Sequence, residues 1–235
     1  TTHDSDHAAD RAAWFGFLDL LLRHRPRRPI NGVLLTLSAS DLLGASPVQA
    51  RAQATALRER IEELHAKLGI AFPIYVLVTK LDLLAGFMEF FADFDKDERA
   101  QVWGITFPYR DDSTRDGPGS RLATDFGALE KRLNERLLDQ LRGENDRARR
   151  AAIFAFPQQW PLLRQALFEF LQSMLGELRA ELKPCVRGVY FTSATQEGTP
   201  MDRALGGLVR ALGLPGRALA PSHPSGKTFF MTRLL

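Results

Sequence analysis

Ile74-Tyr75-Val76-Leu77-Val78-Thr79-Lys80-Leu81-Asp82 is the stretch that decides the fold, because a short apolar run ends there in a polar Thr-Lys-x-Asp loop. Pro73 precedes the run and charged residues follow it, which is typical of a strand buried on both faces of a parallel sheet. Ligands of open α/β sheets bind at the carboxyl ends of such strands. Lys80 and Asp82 are therefore predicted to emerge where a nucleotide would lie.

A second loop of the same kind follows residues 186–192, another short apolar run that leads into Ser193-Ala194-Thr195. A Thr-Lys-x-Asp loop with a later Ser-Ala loop predicts an α/β fold with a partial GTPase-like parallel sheet of the P-loop NTPase type. In such sheets the two loops line the nucleotide base. The backbone N–H groups of Ser193 and Ala194 are the candidates for meeting the base carbonyl.

The other base-binding candidates are Thr79, Lys80 and Asp82. A carboxylate only accepts hydrogen bonds, so Asp82 suits the imino and amino donors of guanine, and the Lys80 stem suits the flat face of a purine. Thr79 stands where many GTPases have asparagine, whose amide braces the loop. Asp82 also has a second interpretation, as a carboxylate that braces the loop or caps the following helix.

The sequence contains no convincing phosphate loop. Ser225-Gly226-Lys227-Thr228 is the nearest match, but Pro221 stands where the first glycine is required and no strand precedes it. We therefore predict no catalytic residue, no cofactor and weak or no guanine nucleotide binding for this chain alone. The phosphate loop, and GTP or ATP with magnesium, are expected upstream in an intact protein.

Composition predicts a globular domain, since 45% of the 235 residues are hydrophobic and 25% are charged. No apolar run reaches the roughly 18 residues of a membrane span. His3 and His7 lie among carboxylates, which we interpret as the capped start of a helix, so no metal site is predicted. The net charge is only +3 and no nucleic-acid motif is present, so nucleic acid is not a predicted partner.

A dense basic run follows the first predicted helix, and it contains Arg23, Arg25, Arg27 and Arg28. Cations are favourable at the end of a helix in any case. The functional interpretation is contact with anionic lipid headgroups or with an acidic partner.

Alternating strand and helix patterns predict parallel βαβ units in residues 1–82, and the pattern returns at residues 186–213. Between them, residues 83–185 are predicted to form a mainly helical insertion, and residues 214–235 a tail. The predicted helices are 8–25, 48–68, 121–141, 161–182 and 201–212, and the predicted strands are 32–37, 74–78 and 186–192, with 102–107 as a weaker candidate.

Three groups of motifs resemble the IcmF/TssM family of type VI secretion. They are residues 75–83 with Gly86-Phe87 and Phe90-Phe91; the specific segment Val102-Trp103-Gly104-Ile105-Thr106-Phe107-Pro108; and residues 10–14, 31–33, 40–43 and 189–200. The resemblance covers nearly the whole chain.

That resemblance implies a cytoplasmic scaffold or NTPase-like domain of an inner-membrane secretion component. It implies contacts with a DotU/TssL-type inner-membrane protein and with baseplate components, and transmembrane helices outside this chain. The alternative is an active GTP- or ATP-hydrolysing switch domain whose phosphate loop lies upstream. Trp103 could belong either to the core or to a docking edge, and an aromatic residue in an apolar run is more often core.

Overall fold

The computed structural model describes residues 2–107, 118–176, 185–194 and 227–234. It is a mixed α/β structure with a mostly parallel sheet and flanking helices. The helices are α1 (Thr2–His24), α2 (Ala39–Gly44), α3 (Pro47–Leu68), α4 (Phe87–Phe90), α5 (Lys96–Ala100), α6 (Pro118–Gly143) and α7 (Arg147–Leu175). The strands are β1 (Val33–Ser38), β2 (Pro73–Thr79), β3 (Gly104–Thr106), β4 (Cys185–Phe191), β5 (Ser193–Ala194) and β6 (Thr228–Phe229).

Four strands form the main sheet in the order β1-β2-β4-β3. Strands β1 and β4 both run parallel to β2, and β3 pairs with β4 in the antiparallel sense. The prediction that the runs at 74–78 and 187–192 share one sheet is therefore confirmed. The structure does not by itself establish a relationship to P-loop NTPases, so that relationship remains a prediction.

Strand β2 is fully buried on one face only. Ile74, Val76 and Val78 point into the core, whereas the intervening Tyr75 and Leu77 are half-buried. Within the described residues, the expectation of burial on both faces holds fully for one face only, because alternate side chains point to opposite faces and those of the second face are half-buried.

The predicted helices at the start of the chain are confirmed, and local chemistry explains where α3 begins and ends. Ser46 accepts from the backbone of Gln49 while the Gln49 side chain accepts from the backbone of Ser46, which is a capping box. Pro47 occupies the first turn, where its missing N–H costs nothing. Gly69 ends the helix with a φ of 63°.

Helix α7 begins earlier than in the sequence prediction, which started this helix at Pro161. Pro157 and Pro161 lie inside one continuous helix of 29 residues. Each proline removes a backbone hydrogen bond and disfavours a helix by about 3 kcal/mol. Burial offsets this, since Phe156 and Trp160 are each 1% exposed and anchor this part of α7 in the core.

One hydrophobic core links the sheet to the segment predicted as an insertion. Leu37, Val76 and Phe191 belong to the same buried cluster as Phe156 of α7 and Phe126 of α6. Strand β3, within residues 83–185, also joins the main sheet. The division into a GTPase-like core and a helical insertion remains a prediction.

Several sequence predictions lie outside the described residues. They are the helix at 201–212, the end of the helix at 161–182 and the near phosphate loop at 225–226. The side chains of His3 and His7 are also outside them.

Candidate functional site

The candidate site lies at the carboxyl ends of β2 and β4, where the sequence places it. Thr79 ends β2, and its Oγ1 donates to the backbone carbonyl of Leu37 at 3.3 Å. This bond ties the end of β2 to the end of β1. A threonine hydroxyl therefore braces the loop at the position where many GTPases use an asparagine amide.

Lys80 adopts a left-handed backbone conformation, with φ at 59°. Its carbonyl accepts from the N–H of Leu83 at 3.1 Å, which closes a 3-10 turn over Leu81–Leu83. A left-handed non-glycine residue costs about 1 to 2 kcal/mol, and such residues cluster at functional loops. This backbone strain at Lys80 is consistent with a functional role for the loop.

Asp82 is buried, at 3% exposure, and it is bound to Ser193 from the second loop. The Ser193 hydroxyl donates to the Asp82 carboxylate, and the same Ser193 oxygen accepts from the Asp82 backbone N–H at 3.1 Å. Ser193 is itself only 1% exposed. The structure thus brings together two predicted site residues that are 111 positions apart in the chain.

Strand β6 covers the second loop. Ser193 pairs with Phe229 and Ala194 with Thr228 in an antiparallel two-stranded sheet. The predicted tail at 214–235 therefore contributes a strand to the site, which the sequence prediction did not foresee. The signal was present as Phe229-Phe230-Met231, an apolar run that follows residues 222–228, which are rich in polar residues, glycine and proline.

Contacts between aromatic rings, which form an aromatic cluster, fix β6 next to the two candidate loops. The Phe229 ring meets the Phe87 ring edge-on at 5.3 Å between centroids, and the Phe230 ring meets Trp103 at 5.1 Å. Trp103 also stacks on Trp160 at 5.0 Å. Trp103 thus packs against the core, and the cluster makes the site part of the hydrophobic interior.

The basic run lies at the other end of the sheet. Arg23 is in the last turn of α1, and Arg25, Arg27 and Arg28 occupy the exposed turn before β1. The Arg25 guanidinium donates to the Asn31 side chain at 3.4 Å. Because β1 runs from this turn toward Thr79, the arginines are not brought to the candidate nucleotide loops.

Within the described residues, no group of three or more histidine, cysteine, aspartate or glutamate side chains is arranged to hold a metal ion. In the same part of the chain, no helix combines the length and the apolar character needed to cross a membrane.

Comparison with known proteins gives a consistent family. The model of the IcmF-related N-terminal domain matches residues 7–235. The chain is also similar to the type VI secretion system component TssM1 of Pseudomonas aeruginosa, with 47% identity over 234 residues. That match covers 100% of this chain and 21% of the relative, so the chain spans about a fifth of the relative's length. No solved structure matches. The chain therefore belongs to the IcmF/TssM family of type VI secretion components.

Proposed function

We propose that this chain is a cytoplasmic scaffold domain of an inner-membrane type VI secretion component. In that role it contacts a DotU/TssL-type membrane protein and baseplate components. Family membership supports the secretion system as its setting. The proposed location is the cytoplasmic face of the bacterial inner membrane.

The bond between Asp82 and Ser193 carries the scaffold part of the proposal. Both residues are buried, and Ser193 is paired with β6, whose Phe229 enters the aromatic cluster. A residue that reads a base must present its oxygens to a ligand, whereas Asp82 uses its carboxylate within the packed interior. This arrangement supports its second interpretation, as a brace for the loop.

One observation favours the alternative of an NTPase domain. The same bond brings the Thr-Lys-x-Asp and Ser-Ala loops together at one edge of the sheet, where nucleotides bind in open α/β folds. In that case the phosphate and magnesium sites would be supplied by a segment outside this chain.

Two measurements test the proposal. The chain should co-purify with the cytoplasmic part of the DotU/TssL-type protein from the same bacterium, and adding GTP should not change the yield. Titration calorimetry of the chain with GTP or GDP should give no binding or weak binding, because base contacts without a phosphate cradle forgo the strong charge-assisted hydrogen bonds.

Binding of either nucleotide at about micromolar affinity or tighter, which is about 8 kcal/mol, would reject the scaffold proposal in favour of the NTPase. Failure to retain either a DotU/TssL-type protein or a baseplate component would reject the proposed partners.

A further inference from the structure

Helix α1 carries apolar side chains on its outer face as well as on its inner face. Leu18 is fully buried and faces the core, whereas Phe17 is 52% exposed and Leu20 is 53% exposed. Phe17 and Leu20 are three positions apart and lie on the same side of the helix. A surface helix of a globular protein normally carries polar residues there, so this face is suited to a second apolar environment.

The basic turn directly continues this face. Arg23, Arg25, Arg27 and Arg28 are all exposed within six consecutive positions. Between residues 17 and 31 the sequence has one acidic residue, Asp19, and its carboxylate is held at 2.7 Å by the ammonium group of Lys67. The local excess of positive charge is therefore not cancelled by neighbouring carboxylates on α1.

We propose that the outer face of α1 and the basic turn dock on the surface of an anionic lipid bilayer. The exposed apolar side chains and the neighbouring arginines together provide the two kinds of contact, apolar and electrostatic, that strengthen binding to an anionic membrane surface. The arginines contact lipid phosphates, and Phe17 and Leu20 enter the boundary between headgroups and acyl chains. This inference rests on the proposed inner-membrane location.

The fold separates this docking surface from the candidate loops. The basic turn precedes β1, and the Asp82–Ser193 site lies beyond the opposite ends of the strands. A strand of six residues spans about 20 Å. Lipid contact at the basic turn therefore leaves the carboxyl edge of the sheet free for contacts with partners.

Vesicle co-sedimentation of the 235-residue chain tests the proposal. Vesicles of phosphatidylglycerol and phosphatidylethanolamine should bind the chain, and vesicles of phosphatidylcholine should bind it much more weakly. Replacing Arg23, Arg25, Arg27 and Arg28 by serine should weaken binding by about fivefold per arginine, or roughly 600-fold in all. Circular dichroism should show an unchanged fold, because all four side chains are exposed.

A control variant with the same net charge as the four-arginine variant distinguishes a specific basic site from general electrostatic attraction to the membrane. It replaces four exposed arginines elsewhere by serine: Arg51, Arg132, Arg142 and Arg147. This control should bind anionic vesicles as the unchanged chain does. In about 0.5 M salt the exposed charges are screened, and the binding that persists comes from apolar contacts, which salt does not screen. Replacing Phe17 and Leu20 by glutamine should abolish this remaining binding.

Three results would overturn the inference. They are absence of binding to phosphatidylglycerol vesicles, equal losses in the two arginine variants, and binding to polyglutamate with none to vesicles, which would assign the basic turn to an acidic protein. Loss of lipid binding with retained co-purification of the DotU/TssL-type protein would reject this inference alone and leave the proposed function standing.

Discussion

Removing the Ser193 hydroxyl should destabilise the domain substantially. In Ser193→Ala, the Asp82 carboxylate loses a donor and the Asp82 backbone N–H loses an acceptor, both in a buried setting. A hydrogen bond to a charged group contributes about 1.5 to 3 kcal/mol and a neutral one about 0.5 to 1.5 kcal/mol, so we expect the two lost bonds to cost about 3 kcal/mol. For a chain of this length, that loss lowers the melting temperature by about 6 to 12 °C.

Urea unfolding followed by circular dichroism measures this loss directly. Ser173→Ala is the matched control, because Ser173 is half-buried on α7 and lies outside both candidate loops. The control should be neutral, since alanine is favourable in a helix. Combining Ser193→Ala with Asp82→Ala should give a coupling of about 0.5 to 3 kcal/mol. A change below about 0.5 kcal/mol in Ser193→Ala, or strict additivity of the two substitutions, would refute the proposed brace.

Three further predictions concern other residues. Gly86→Ala should unfold the domain or cost several kcal/mol (about 3 or more) in urea titration, because φ is 82° and a Cβ would lie 1.8 Å from the Ala152 carbonyl oxygen; wild-type stability would contradict this close approach. Burial lowers the pKa of His65, so the unfolded chain binds a proton before the folded chain does as the pH falls. The free energy of unfolding should therefore be highest above about pH 6.5 and should decline below it. In urea titrations at several pH values, His65→Phe should flatten this dependence. In the intact protein, if Asp82 reads guanine, Asp82→Asn should weaken guanine nucleotides by roughly 1.5 to 3 kcal/mol per lost bond and relatively favour xanthine nucleotides, whereas unchanged calorimetric preferences would exclude base reading.

The central part of the fold could be predicted from the sequence because its signals are local. The apolar run at 74–78 is bounded by proline and charge, and its length is that of a strand. The capping residues around Pro47 and Gly69 similarly define α3. The alternation of strands and helices along the chain then predicts that β1, β2 and β4 lie in one parallel sheet.

Features that depend on distant contacts were not predictable in the same way. Strand β6 is two residues long, and its pairing with Ser193–Ala194 is determined by the aromatic cluster that receives Phe229 and Phe230. The continuity of α7 through Pro157 and Pro161 likewise depends on tertiary packing, which outweighs the local preference of proline.

The candidate site was predicted in part. The sequence placed Asp82 and Ser193 at neighbouring loops, and they are indeed hydrogen-bonded. The depth of their burial could not be read from local sequence, because it arises from packing of the whole segment. Base binding by Thr79, Lys80, Asp82, Ser193 and Ala194 stays a prediction.

The long separation between β2 and β4 has a consequence for synthesis in the cell. Asp82 leaves the ribosome 111 residues before Ser193 does, which is about 6 to 22 s at ordinary elongation rates. During that interval one edge of β2 lacks its partner strand, and its valine and isoleucine side chains resemble an aggregation-prone segment. The nascent domain is therefore expected to depend on chaperones or on slow, low-temperature expression until the last strand of the main sheet emerges.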